Sequence, residues 1–127
     1  MLSKEGTYKN IKLNVVIIGL GQAGSRFDEE KRDLIWSHVG AYLHYPNEFN
    51  IVNGVDISEE NRNLFDKRLK SKKAIANINE LDKKEIDIIS IATPYKQRLN
   101  IFEEIFNLKI KPKVIICEKP LALTKNE

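Results

Sequence analysis

Residues 15–18 of this chain, Val-Val-Ile-Ile, lead directly into the glycine pattern Gly-Leu-Gly-Gln-Ala-Gly at positions 19–24. Four consecutive β-branched residues are typical of a strand that is buried on both faces of a sheet. A Gly-x-Gly-x-x-Gly pattern immediately after such a strand predicts a tight turn, followed by a helix that begins near Gln22. The stretch therefore predicts the first strand, turn and helix of an open α/β fold.

Each glycine of this pattern has its own predicted task. Gly19 permits the tight turn, Gly21 lets the backbone approach a pyrophosphate, and Gly24 lets the helix pack closely on the strand. The amides at the start of the helix, including those of Gln22 and Ala23, would face the phosphates with the positive end of the helix dipole. The pattern predicts a dinucleotide-binding turn, and the alternative is a strand–helix connection without a ligand.

The rest of the chain alternates between apolar strands and helical periodicity. The predicted strands cover residues 12–18, 50–55, 74–76, 86–92 and 113–117, with helical patterns between them at 34–43, 58–69 and 95–108. Strands that alternate with helices form parallel units with right-handed crossovers. A chain of 127 residues is therefore predicted to form one three-layer α/β fold with a parallel sheet. With the glycine pattern after the first strand, we expect this to be a Rossmann fold with the strand order 3-2-1-4-5.

Composition limits the classes of partner. The 21 basic and 18 acidic residues are interspersed and give a net charge of +3, which does not favour nucleic acid or a membrane surface. The basic run at 67–73 is interpreted as the solvated end of a helix rather than a binding patch. Cys117 is the only cysteine, so no intrachain disulfide can form, which fits a reducing cytoplasm. No apolar run approaches the roughly 20 residues of a membrane span, and we expect no metal site.

Further candidate functional residues lie where predicted strands end. Asp56 follows the second strand, Ala92, Thr93 and Pro94 close the fourth, and Glu118, Lys119 and Pro120 follow the fifth. The ligand crevice of an open α/β sheet lies at the carboxyl ends of its strands, so these residues are predicted to line one site with the glycine turn. Two alternatives stay open: Asp56 caps the following helix, and Lys119 is a surface lysine beside a turn-forming proline.

Three segments resemble the N-terminal domain of the glucose–fructose oxidoreductase, inositol dehydrogenase and rhizopine catabolism (Gfo/Idh/MocA) family. They are Ile-Gly-Leu-Gly-Gln-Ala-Gly at 18–24, Asp-Ile-Ile-Ser-Ile-Ala-Thr-Pro at 87–94, and Val-Ile-Ile-Cys-Glu-Lys-Pro-Leu-Ala at 114–122. The Glu-Lys-Pro-Leu-Ala string is the most specific of these. The resemblance implies an NAD- or NADP-binding domain of an enzyme that transfers a hydride to or from a sugar or cyclic polyol.

The resemblance also implies a role for each candidate residue. The turn from Gly19 to Gly24 would hold the phosphates, and Asp56 the adenosine ribose. Thr93 and Pro94 would line the nicotinamide side, next to Glu118, and Lys119 would bind substrate and assist proton transfer. A carboxylate at position 56 accepts hydrogen bonds from ribose hydroxyls and repels a 2′-phosphate, which favours NAD over NADP.

The sequence departs from the family pattern in two places. The family's Thr-Pro-Asn-x-x-His string has Tyr95 and Arg98 in place of its asparagine and histidine. Gly24 and Asp56 are 32 residues apart, where about 20 are usual. The family often has a histidine soon after the third glycine and a proline eight residues beyond it. His38 and Pro46 match that pair, so the resemblance implies that the excess is an insertion around 26–36. We expect this insertion to be an irregular loop above the cofactor crevice. His38 matches a family histidine and is expected to pack on the helix rather than to act in catalysis.

The resemblance divides the chain at its C-terminal end. Residues 1–121 are predicted to form the NAD(P)-binding Rossmann domain, and 122–127 to begin the connection to a substrate domain that this chain lacks. The full-length protein would act on a small sugar-like substrate, and this chain alone is expected to be catalytically silent. Apolar surface left uncovered near the fifth strand makes a homo-oligomer possible. The alternative function is a non-catalytic dinucleotide sensor or scaffold.

Overall fold

The computed structural model describes residues 11–31 and 33–127, and a five-stranded sheet forms its centre. The strands are β1 (Leu13–Ile18), β2 (Phe49–Val55), β3 (Ala74–Ile75), β4 (Ile88–Ile91) and β5 (Val114–Cys117), and the helices are α1 (His38–Leu43), α2 (Glu59–Leu69) and α3 (Arg98–Asn107). All neighbouring strands pair in parallel, in the order β3-β2-β1-β4-β5. The predicted Rossmann fold and its strand order are confirmed.

Strand β1 divides the core into two layers because its side chains alternate between the faces of the sheet. Val16 and Ile18 belong to a buried cluster that includes residues of α3. Val15 and Ile17 belong to a second cluster, which includes residues of α1 and α2. The helices therefore cover both faces of the central strands, and the loops after β1, β2, β4 and β5 gather at one edge of the sheet.

The helix predicted to begin near Gln22 is interrupted. Residues 22–25 form turns, a short 3-10 helix covers Arg26–Asp28, and α1 begins only at His38. The amide of His38 then donates to the carbonyl of Ala23 at 3.0 Å, and the amide of Val39 to the carbonyl of Gly24 at 2.9 Å. In an uninterrupted helix these carbonyls would bond to residues four positions on. The helix is thus resumed after an excursion of eleven extra residues, the length of the predicted insertion.

The insertion begins at the crevice edge and continues beside the helices. Nη1 of Arg26 donates a hydrogen bond at 3.3 Å to Oδ1 of Asn61, in the first turn of α2. Glu29, Glu30, Leu34 and Ile35 share a cavity of about 550 Å³ with the C-terminal parts of α1 and α2. Because these helices run antiparallel to the strands, their C-terminal parts lie at the edge of the sheet opposite the strand ends. The expected position over the crevice is therefore wrong for these four residues, whereas Arg26 lies at the crevice edge beside the Asn61 side chain that donates to Asp56. The irregular structure of the described part of the insertion is as predicted.

Asp28 anchors the insertion to the helices. Its side chain is fully buried and accepts hydrogen bonds from the amides of Trp36 and Ser37 at 2.8 and 3.0 Å and from the Ser37 hydroxyl at 2.6 Å. Arg68 of α2 completes the set with an ion pair of 2.9 Å. Burial alone would raise the pKa of Asp28, but these hydrogen bonds hold it below its usual value. The insertion is rich in charged residues, which rarely pack into a core, and it is anchored to the helices by the buried carboxylate of Asp28.

The β5 edge of the sheet is partly uncovered. Val114, Ile115 and Ile116 are 48%, 37% and 43% exposed, and Phe106 near the end of α3 is 81% exposed. The apolar surface expected near the fifth strand is therefore present.

None of the helices in the described part of the chain has the length and apolar character that crossing a membrane requires.

Candidate functional site

The turn after β1 is shaped by its three glycines. Gly19 has a φ of +94°, and a Cβ on it would lie 2.9 Å from backbone atoms of Ala92 and Thr93. A Cβ on Gly24 would lie 1.8 Å from the carbonyl oxygen of Gly19. Gly21 differs, because beyond its chain neighbours no described atom lies within 4 Å of a Cβ built on it. The middle glycine therefore presents its backbone to open space at the carboxyl edge of the sheet.

Asp56, directly after β2, connects the glycine turn to the start of α2. Its Oδ2 accepts hydrogen bonds from the amide of Leu20 at 2.8 Å and from Nδ2 of Asn61 at 3.2 Å, and its Oδ1 accepts from the amide of Ser58 at 2.8 Å. The cap of α2 is Ser58, whose hydroxyl accepts from the amide of Asn61 at 3.3 Å, and Asp56 supports that cap rather than forming it. An ionised carboxylate has about four acceptor positions, so Oδ1 retains room for one more donor. Ribose binding stays a prediction, and it is limited to that remaining position.

The loop after β4 packs next to the glycine turn. The amide of Ala92 donates to the carbonyl of Ile18 at 2.8 Å, which continues the β1–β4 pairing beyond the strands. Thr93 Oγ1 is buried and has no hydrogen-bond partner among the described residues. Leaving a buried hydroxyl unpaired costs about 1–3 kcal/mol, so this oxygen is an unsatisfied group next to the glycine turn.

Glu118 pairs with a residue far away in the sequence. Its Oε1 lies 2.9 Å from Nε2 of His38, at the start of α1. The hydrogen bond from His38 holds the pKa of Glu118 below its usual value, with a smaller contribution from the charge of Arg98. His38, expected to pack on the helix, thus contacts the Glu-Lys-Pro segment directly.

Lys119 is exposed at the far end of the site, and its peptide bond to Pro120 is cis. The Pro120 carbonyl accepts a hydrogen bond from the buried guanidinium of Arg98. In the sequence, Arg98 stood out only because it departs from the family pattern. His38 stood out only because its position matches that of a family histidine. Neither pattern predicted the partner that the side chain contacts.

The predicted site residues share one edge of the sheet, but they do not form one compact cluster. They follow β2, β1, β4 and β5, which are neighbours in that order. Strands lie about 4.8 Å apart, so Asp56 and Lys119 mark the ends of a site on the order of 14 Å long. The open face of Gly21 and the unpaired Thr93 hydroxyl lie between them. This arrangement fits an elongated ligand with a phosphate near its middle, as a dinucleotide has.

Comparison with protein families gives a match over residues 13–127 to a model described as an oxidoreductase family with an NAD-binding Rossmann fold (GFO_IDH_MocA). No curated protein sequence matches the chain.

Solved structures give the same fold. The chain is similar to a predicted dehydrogenase from Bordetella bronchiseptica RB50, with 26% identity and a TM-score of 0.69, covering 91% of this chain and 27% of that one. It is similar to the WlbA dehydrogenase from Bordetella pertussis in complex with NADH and UDP-GlcNAcA, with 18% identity, a TM-score of 0.65, and 88% and 30% covered. Myo-inositol 2-dehydrogenase from Lactobacillus plantarum shares 21% identity with a TM-score of 0.64, and 91% and 30% are covered. The chain thus spans less than a third of the length of these proteins.

Proposed function

This chain belongs to the Gfo/Idh/MocA oxidoreductase family, and on that premise we propose that it binds NAD(H) as the cofactor domain of a dehydrogenase acting on a sugar or cyclic polyol derivative. The open backbone at Gly21 carries this proposal. Gly19 and Gly24 have no room for a side chain because other backbone fills the space, whereas Gly21 has room that nothing in the described chain uses. Such a position fits close approach of a pyrophosphate.

The other residues of the edge supply the two ends of the cofactor site. Oδ1 of Asp56 has one acceptor position for an adenosine ribose hydroxyl. The unpaired hydroxyl of Thr93, with Ala92, Pro94 and Glu118, would line the nicotinamide end. NAD, when bound there, supplies the acceptor for the hydride.

Lys119 is the residue that we assign to the substrate. It is exposed beyond the carboxyl end of β5, next to the Glu118 carboxylate that His38 holds in place. A lysine there, in its neutral amine form, can accept the proton of a substrate hydroxyl as the carbon is oxidised and its hydride passes to the nicotinamide. The WlbA complex with NADH and UDP-GlcNAcA and the inositol dehydrogenase support a sugar or polyol as the substrate class.

NAD is proposed rather than NADP because Asp56 is negatively charged and Ile57, not an arginine, follows it. Structural relatives occur with both preferences: one from Agrobacterium radiobacter is a complex with NAD⁺, and one from Desulfitobacterium hafniense is called NADPH-dependent. We also propose a cytoplasmic location, and a small molecule rather than nucleic acid or membrane as the partner, from the single cysteine and the balanced charge.

A substitution of Gly21 tests the cofactor site. We expect Gly21→Val to abolish NADH binding in calorimetry and to leave the thermal unfolding temperature within about 2 °C, because the new side chain enters open space. Gly24→Ala is the matched contrast, since its Cβ would meet the Gly19 carbonyl and lower the unfolding temperature. Unchanged NADH binding by Gly21→Val would contradict the proposal.

The alternative function is a dinucleotide-binding sensor or scaffold that lacks chemistry, favoured by the departures at Tyr95 and Arg98. Arg98 is buried and bonded to both loops of the site, so its presence has a structural explanation that does not require lost catalysis. Turnover by a protein that carries this domain with its substrate domain separates the two functions.

A further inference from the structure

Arg98, the first residue of α3, is a buried arginine that joins two loops of the candidate site. Only 3% of the residue is exposed. Its Nη1 donates a hydrogen bond to the carbonyl of Pro120, and its Nη2 donates to the carbonyl of Thr93 at 3.0 Å. Thr93 follows β4 and Pro120 follows β5, so the guanidinium ties the ends of two neighbouring strands together.

Backbone packing extends this connection along the site. The Thr93 loop is so close to the glycine turn that a Cβ on Gly19 would lie 2.9 Å from it. On the other side, Pro120 directly follows Lys119. Arg98 therefore lies between the turn assigned to the pyrophosphate and the segment that carries the substrate lysine.

The chemistry of the side chain indicates that its geometry matters. Burying a charge is costly unless it is paired, and Nε of Arg98 is buried without a partner among the described residues. An apolar residue would avoid that penalty, but it would leave both carbonyl oxygens without this donor. The planar guanidinium, however, holds two carbonyl oxygens at a fixed spacing, which the single ammonium group of a lysine does not.

On the premise of the proposed cofactor site, we propose that Arg98 is a positioning residue that sets the spacing between the Thr93 loop and the Lys119 segment, and so shapes the pocket for the nicotinamide half of the cofactor. The adenosine half, assigned to Gly21 and Asp56, does not depend on this connection. Loss of Arg98 therefore weakens binding of NADH selectively, and binding of ADP, which lacks the nicotinamide nucleoside, is retained.

The experiment compares NADH and ADP as ligands of the 127-residue chain by calorimetry. For Arg98→Gln we expect the dissociation constant of NADH to rise about tenfold, because two hydrogen bonds from a charged group are lost, and that of ADP to change less than about twofold. Arg98→Lys keeps the charge and one hydrogen bond, so its loss of NADH affinity is intermediate. Lys96→Gln, which removes an exposed positive charge two residues earlier, is the matched control and leaves both affinities unchanged.

The ratio of the two affinities decides the outcome. A role in stability alone would weaken NADH and ADP together, and that result, or an unchanged NADH affinity in Arg98→Gln, overturns the proposal. If Arg98→Gln fails to fold, the same comparison on Arg98→Lys decides it. Failure of the unsubstituted chain to bind NADH would instead refute the proposed function.

Discussion

Asp56 performs a structural task while its negative charge remains available for selecting the cofactor. Its carboxylate accepts from Leu20, Ser58 and Asn61, so it fixes the glycine turn relative to α2. The charge is not neutralised by these donors, because two are backbone amides and one is a side-chain amide. A 2′-phosphate placed at the remaining acceptor position would meet a like charge.

Substitution of Asp56 separates charge from structure. We expect the chain to bind NADH more tightly than NADPH in calorimetry, and Asp56→Asn to narrow the difference because the amide keeps an acceptor oxygen without the charge. Asp56→Ala should narrow it as well, with a loss of stability from the unpaired Leu20 amide. Glu59→Gln removes an exposed charge from the start of α2 and serves as the control. An unchanged preference in Asp56→Asn would show that the residue acts only in the turn.

Lys119 is expected to act on the substrate rather than on the cofactor. In a protein that carries this domain together with its substrate domain, Lys119→Ala should lower kcat by about 10²-fold or more, the usual contribution of a general acid or base. NADH affinity should change little, since the proposal assigns the lysine to the substrate and not to the cofactor. Lys125→Ala, another exposed lysine, is the control in steady-state kinetics. Normal turnover by Lys119→Ala would show that the lysine has no role in proton transfer.

Residues whose task depends on a local pattern could be predicted, and residues whose task depends on a distant partner could not. The glycines at 19, 21 and 24 carry their spacing and their backbone requirements in the sequence itself. His38 meets Glu118 across 80 positions, and no spacing rule predicts that contact. Arg98 likewise meets Pro120 only because β4 and β5 are neighbours.

The insertion between the glycine turn and α1 shows, for a whole segment, that contacts with distant residues could not be predicted from the sequence. The count of residues to Asp56 predicted its length, and the match of His38 and Pro46 to the family pair predicted its place. Its position could not be predicted, because the charged run gave no sign that Asp28 would be buried. Four hydrogen bonds, including one from Arg68, more than compensate for burial of this carboxylate.

Asp28→Ala should therefore destabilise the domain strongly. We expect a loss on the order of 3 kcal/mol in urea unfolding, because Arg68 and two backbone amides lose their partner. Asp33→Ala, an exposed acid in the same insertion, should change stability by less than about 0.5 kcal/mol. Equal effects of the two substitutions would show that Asp28 does not anchor the segment.

The stabilisation by Asp28 also has a predictable dependence on pH. Its pKa is lowered in the folded chain from the usual 3.8, so the folded state holds its proton less tightly than the unfolded state does. The contribution is then fully present above pH 3.8 and is lost as the pH falls below that value. The difference in stability between the unsubstituted chain and Asp28→Ala should shrink over that range in urea titrations.

The arrangement of the whole sheet followed from apolar strands that alternate with helices, but the coverage of its edge did not. The four residues 15–18 of β1 are 0–3% exposed, as their β-branched run predicts. Val114, Ile115 and Ile116 form an equally apolar run, yet they are 37–48% exposed because β5 is the last strand of the sheet. Hydrophobicity predicts that the side chains of a strand are buried, and only the fold shows which strand remains exposed.

This uncovered edge should make the 127-residue chain associate with itself. An exposed apolar strand at a sheet edge can pair with a strand of another chain. Phe106, which is 81% exposed, lines a groove with Val114 and Ile115 beside this edge. We expect sedimentation velocity to show a sedimentation coefficient that rises with concentration. Phe106→Lys should shift the chain toward monomer without loss of stability, because the side chain is already in solvent. Ile11→Lys, 66% exposed and before the central strand, should behave as the unsubstituted chain does. A chain that stays monomeric at every concentration would show that the exposed edge does not drive association.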